Sequence, residues 1–159
     1  MTAYQMVSML EGVVLRGTAT RVSRAIDNPI AGKTGTTNDF RDAWFIGYTP
    51  DILALVWVGF DNGDAIKATG AQAALPIWAE LMKAIPHQIS RNDFRVPDGI
   101  VARMICSDNG KPMVSQNCAK PRKEFFLAEN APPESRPLDP IKGVFDKLIK
   151  GIKDIFNGD

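Results

Sequence analysis

The chain has 159 residues, 45% of them hydrophobic and 23% charged, which suits one globular domain with its own core and excludes wholesale disorder. A formal net charge of +1 gives no bulk attraction for nucleic acid or an anionic surface, and the longest apolar run, 52–60, is far short of the roughly 20 residues that span a bilayer. Two cysteines, Cys106 and Cys118, and one histidine, His87, exclude the usual Cys/His zinc spacings. His87 follows Pro86 in a polar stretch and reads as a surface residue.

Residues 2–16 read as a helix. Thr2 and Gln5 match a capping box, Tyr4, Val7, Leu10 and Val14 recur at helical spacing, and Gly17 is a natural stop. Residues 18–28 read as polar connection or short extended structure, with Asn28-Pro29 as a turn signal. Strands are expected at 29–37, 42–48 and 52–60. Links of three or four residues force these to pair antiparallel, because a parallel crossover needs about a dozen. The run at 52–60 does not alternate, which predicts burial on both faces and layers on both sides of the sheet. Asp61-Asn62-Gly63 is a turn. A helix is expected over 73–85, with Pro76 in its first turn, Pro86 after it, and Ile77, Trp78, Leu81, Met82 and Ile85 on its apolar face. Strand-like pieces follow at 99–106 and near Met113. Residues 131–139 form a Pro-rich linker, and 140–159 an amphipathic helix. The fold class is therefore α+β, an antiparallel sheet with helices on both faces. The expected organisation is 1–86, a strand and loop extension over 87–130, the linker, and the terminal helix.

Residues 30–60 carry chemistry. They contain Lys33-Thr34-Gly35-Thr36-Thr37 on the first strand. Trp44-Phe45-Ile46-Gly47-Tyr48-Thr49-Pro50 and Val56-Trp57-Val58-Gly59-Phe60-Asp61 follow on the next two. A Lys-Thr-Gly triplet alone is weak, but these three segments in this order and spacing resemble the serine penicillin-binding proteins. The likeness is greatest to the transpeptidase domain of the class A bifunctional peptidoglycan synthases of the 1a type. It covers about residues 3–85 well and 96–135 more loosely.

The resemblance implies a partial serine β-lactamase/penicillin-binding transpeptidase fold. The family sheet has five strands, of which this chain supplies three. Lys33 then supplies a fixed positive charge for the substrate's terminal carboxylate and for proton transfer. The Thr34 and Thr36 hydroxyls bond that carboxylate, Gly35 lets a substrate backbone lie against the strand, and the Thr36 N–H completes the oxyanion hole. Trp44, Phe45 and Tyr48 are expected in core and cleft-wall packing.

No serine in the chain has a lysine three positions on, so the S-x-x-K nucleophile motif is missing. Ser90-Arg91-Asn92, Ser107-Asp108-Asn109 and Ser115-Gln116-Asn117 match S-x-N but follow Lys33, whereas the family places that motif before it; common turn composition explains them. The chain is accordingly expected to be the C-terminal part of an enzyme whose serine lies upstream, and inactive by itself. No metal or organic cofactor is implied. The implied partners are peptidoglycan stem peptides, β-lactams and the upstream part of the same polypeptide. The implied setting is the periplasmic face of the inner membrane, with an N-terminal anchor and glycosyltransferase domain in the parent. A D,D-carboxypeptidase or β-lactamase fragment, and a non-enzymatic β-lactam sensor or interaction module, remain alternatives.

Cys106 and Cys118 flank a polar, hairpin-like loop. An extracytoplasmic setting favours a disulfide there, and two free buried thiols are the other reading. In the terminal helix Lys142, Lys147, Lys150 and Lys153 lie opposite or beside the apolar stripe. That pattern suits an anionic membrane surface, and equally packing or self-association.

Overall fold

In the computed structural model, which describes residues 1–111, 118 and 120–134, the leading apolar repeat folds as helix α1 (Thr2–Arg16). Its start differs from the capping-box expectation. Met1 is the N-cap, no side chain caps it, and the Met1 carbonyl accepts from the Tyr4 and Gln5 N–H groups. Thr2 therefore lies inside the first turn, one position too late to cap. Tyr4 and Val14 are buried from the helix's apolar stripe. The stretch expected to be extended contains instead a short helix, α2 (Thr20–Ala25), held by Val22 at full burial. Packing of one valine and Ala19 outweighs a polar composition there.

The chain divides into two units, Met1–Ile100 and Val101–Asp159. The first contains the strands β1 (Ala31–Thr36), β2 (Asp42–Tyr48) and β3 (Leu53–Gly59), in the order β1-β2-β3 and all antiparallel, as the short links require. Helix α3 (Ala74–Ala84) packs on β2 and β3. Its buried face is Ala74, Leu75, Trp78, Ala79 and Met82. Ile77 and Leu81, expected inside, are 52% and 43% exposed. The inward arc is rotated toward the small residues Ala74 and Ala79, which let the helix approach the sheet.

Phe45 and Trp78 are fully buried and meet edge to face at 5.3 Å, with Val14, Val22, Ile30, Leu75 and Met82 around them. The indole N–H of Trp78 donates to the Ala54 carbonyl at 3.1 Å. Ala54, Val56 and Val58 complete this core from β3. The other face of β3 departs from expectation, since Leu53, Leu55 and Trp57 are 67%, 51% and 43% exposed. Residue type made the strand look two-sided, but its environment alternates. Helix α1 packs against β1 and contributes Val14 to the core around Phe45 and Trp78. Helix α3 thus covers one face of the sheet, and among the described residues no helix covers the outer face of β3.

The second unit carries β4 (Ile100–Cys106) and β5 (Pro121–Leu127), paired as a two-stranded sheet. The strand β5 was not expected, because Pro-Arg-Lys-Glu opens it with no apolar alternation. Cys106 and Cys118 form a disulfide with Cα atoms 5.5 Å apart, inside the usual range. The strand expected near Met113 and the terminal helix at 140–159 lie outside the described residues, as does most of the linker.

Candidate active site

The motif occupies the edge strand of the first sheet, because among the described residues β1 pairs only with β2. Which way its groups face follows from the ladder. The Thr37 N–H donates to the Asp42 carbonyl at 3.0 Å, and Thr37 is the residue just past β1. Antiparallel pairs alternate between bonded and non-bonded, so Gly35, Lys33 and Ala31 also bond to β2. The main-chain groups of Thr36, Thr34 and Gly32 then point away from β2, onto the open edge. The Lys33 ammonium agrees with this phase, since it donates to the outward Thr34 carbonyl at 2.6 Å.

Side chains alternate at right angles to that edge. Lys33 pairs with Ile46 and Gly35 with Trp44, on the face away from the core; Thr34 pairs with Phe45 and Thr36 with Ala43, on the helix side. Lys33 is exposed. The Thr34 and Thr18 hydroxyls share a hydrogen bond of 2.8 Å. The Thr36 hydroxyl accepts from the Gly70 N–H at 3.0 Å, which leaves its own proton free to donate elsewhere. Gly70 packs against the backbone of Gly35 and Trp44 so closely that a Cβ there would overlap both carbonyl oxygens. A Cβ on Gly35 would lie 3.2 Å from the Trp44 Cβ, so Gly35 is confined by its neighbour strand as well as bordering the edge.

Sequence reasoning missed Thr18, Gly70 and Asp42. Each meets the motif through a turn or loop, and no residue-type signal marks it. The aromatic residues lie as packing elements. Phe45 is core, Trp44 tilts against Trp57 with ring centroids 6.0 Å apart, and Tyr48 meets Phe94 edge to face at 5.6 Å. Of the S-x-N serines, Ser90 is a loop anchor: its N–H and hydroxyl both donate to Asp51 Oδ2 at 2.8 Å. Tyr4 and Tyr48 both have hydroxyls pushed above the ordinary tyrosine value, first by burial and then by the Glu11 carboxylate, with Asp93 adding to Tyr4. A cleft of about 430 Å³ lies away from the motif, between α1, α2 and the loop bearing Arg91 and Asp93.

The edge strand thus brings together outward main-chain groups, the Lys33 ammonium and the Thr34 and Thr36 hydroxyls. The family description "Penicillin binding protein transpeptidase domain" matches residues 1–83, and the chain belongs to that family. Among its relatives, penicillin-binding protein 1A of Aquifex aeolicus is 47% identical over 93 residues, 57% of this chain and 13% of that protein. Penicillin-binding protein 1A of Pseudomonas aeruginosa is 38% identical over 141 residues, 87% of this chain and 17% of that protein. The crystal structure of penicillin-binding protein 1A from Haemophilus influenzae superposes with a TM-score of 0.69 at 29% identity, over 82% of this chain and 21% of that one. The chain therefore spans about a fifth or less of the proteins it matches.

Proposed function

We propose that this chain supplies the third motif of a serine D,D-transpeptidase that cross-links peptidoglycan, the serine coming from polypeptide outside these 159 residues. The observation that carries the reading is the Lys33-Thr34-Gly35-Thr36 edge strand with the Thr36 N–H facing outward. The serine oxygen attacks the carbonyl of the penultimate D-alanine, the amide C–N bond breaks, and terminal D-alanine leaves. An amine of a second stem peptide then attacks the ester and restores the serine hydroxyl. Lys33 attracts the leaving residue's carboxylate, the Thr34 and Thr36 hydroxyls bond it, and the peptide lies along the free edge beside Gly35. The Thr36 N–H receives charge that develops on the carbonyl oxygen. A β-lactam enters by the same route and stays as the serine ester. This chemistry belongs outside the cytoplasmic membrane, where its substrate is, and the Cys106–Cys118 bridge supports that setting.

The test uses the full-length enzyme and a labelled β-lactam. Lys33→Ala should slow acylation about 100-fold, the usual loss for one preorganised electrostatic partner. The 159-residue chain by itself should show no adduct by intact mass. Acylation of the Lys33 variant within threefold of wild type, or a stable adduct on a serine of this chain, counts against the reading.

A further inference from the structure

At the turn that follows the motif, one carboxylate reaches all three strands, beside main-chain bonds from the Thr37, Phe40 and Ile66 N–H groups to the Asp42, Thr37 and Phe40 carbonyls. Asp42 opens β2, directly opposite Thr37. Its Oδ2 accepts from the Thr37 hydroxyl at 3.0 Å, while the Thr37 oxygen accepts from the Asp42 N–H at 2.9 Å. Its Oδ1 accepts from the indole N–H of Trp57, on β3, at 2.9 Å. Both carboxylate oxygens are thus engaged, one toward the end of the motif strand and one toward the far strand.

The surroundings are built to this contact. Residue 59, paired with Asp42, is glycine; a Cβ there would lie 2.8 Å from Trp57 Cε2 and 3.1 Å from Asp42 Oδ1. Any larger residue displaces the indole from the carboxylate. The turn itself is strained, with Asp39 and Phe40 at φ 61° and 55°, a conformation that side chains rarely adopt in succession. Such a turn persists only where its two ends are fixed, and Asp42 ties them together through both its carbonyl and its carboxylate. Thr36 lies one peptide from this clamp, and Gly70 holds its hydroxyl on the other side. Thr36 is thus bracketed by Gly70 on one side and by the Asp42–Thr37 pair on the other.

We propose that Asp42 is a positioning residue for the acylation step, acting through Thr37 and Trp57 to hold the Thr36 N–H where charge develops on the substrate carbonyl. The proposal rests on the transpeptidase reading. It predicts a loss in the chemical step and little change in binding, because the carboxylate touches no substrate.

In the full-length enzyme, β-lactam acylation is resolved into a dissociation constant and a first-order acylation rate. Asp42→Ala should lower the rate about tenfold and move the dissociation constant less than twofold, a split that general loss of fold does not produce. Thr37→Val should behave alike, Thr37→Ser should recover most of the rate, and the Asp42→Ala/Thr37→Val double variant should be no slower than either single one. Trp57→Phe, which keeps the ring and removes the indole N–H, should give a smaller loss of the same kind. Independently of catalysis, the Trp57 indole N–H should be protected from solvent exchange in wild type and lose that protection in Asp42→Ala. Wild-type enzyme that forms no serine ester overturns the transpeptidase reading and this proposal with it. Wild type that acylates, beside an Asp42→Ala rate within twofold of it, overturns the proposal alone. So do additive losses in the double variant, or a loss confined to binding.

Discussion

Gly47→Ala tests the core under the motif strand. Gly47 lies on β2, on the face that meets α3, with the fully buried rings of Phe45 and Trp78 against it. A Cβ there would lie 2.6 Å from Phe45 Cε1 and 2.8 Å from Trp78 Cε2 and Cζ2. Neither ring can swing into solvent, and the opposing Gly32 offers no relief, since a Cβ on it would already meet Phe45 Cζ at 2.9 Å. Overpacking of this kind costs about 1–3 kcal/mol. Tilting Trp78 away also breaks its bond to the Ala54 carbonyl, worth about 1 kcal/mol more. The expected loss is about 2–4 kcal/mol, a large share of a small domain's stability. Urea unfolding followed by tryptophan fluorescence measures it, at a concentration where wild type sediments as one species. Trp78→Phe in the same chain should recover part of the loss, because the smaller ring vacates the contested space. A loss under about 0.5 kcal/mol, with near-UV circular dichroism unchanged, would mean that Trp78 does not rest on Gly47.

Opening the Cys106–Cys118 bridge, by reduction or by Cys118→Ser, should destabilise the second unit by about 3 kcal/mol on the chain-entropy estimate for a separation of 12 residues; protease sensitivity unchanged on reduction would refute this. Tyr4 and Tyr48 hold their protons above the ordinary value of 10.0, so the unfolded chain ionises first and stability falls as pH rises above about 10; a spectrophotometric titration with both hydroxyls ionising normally would oppose it. The Thr49 N–H donates to the Ile52 carbonyl, which turns the main-chain groups of Leu53, Leu55 and Trp57 onto the open edge of β3. Those residues are also the exposed apolar ones, so the 159-residue chain should self-associate at micromolar concentration, and Leu53→Lys/Leu55→Lys should shift it toward monomer. Sedimentation as a clean monomer before the substitution would refute that reading.

The three strands of the first unit were legible because links of three or four residues leave no topology but antiparallel neighbours. The motif was legible because its meaning lies in residue types at fixed spacing. What escaped depended on partners. The helix α2 is six residues of mostly polar composition, and packing of Val22 beside Ala19 makes it fold. The helix α3 turns its alanines inward and leaves Ile77 and Leu81 outside, because close approach to the sheet outweighs side-chain size.

The same limit holds inside the site, and it bears on which groups can act. A string of Lys-Thr-Gly-Thr states that hydroxyls, a charge and a flexible position are present, but not which face each takes. Facing is set by one hydrogen bond beyond the strand, from the Thr37 N–H to the Asp42 carbonyl. A slip of one residue would turn the Thr36 N–H into the ladder and bring Gly35 to the edge in its place. The residue that guards against this slip is Asp42, whose carboxylate grips Thr37 and Trp57 together. Register, more than residue identity, makes the Thr36 N–H available, and register is maintained by groups outside the motif.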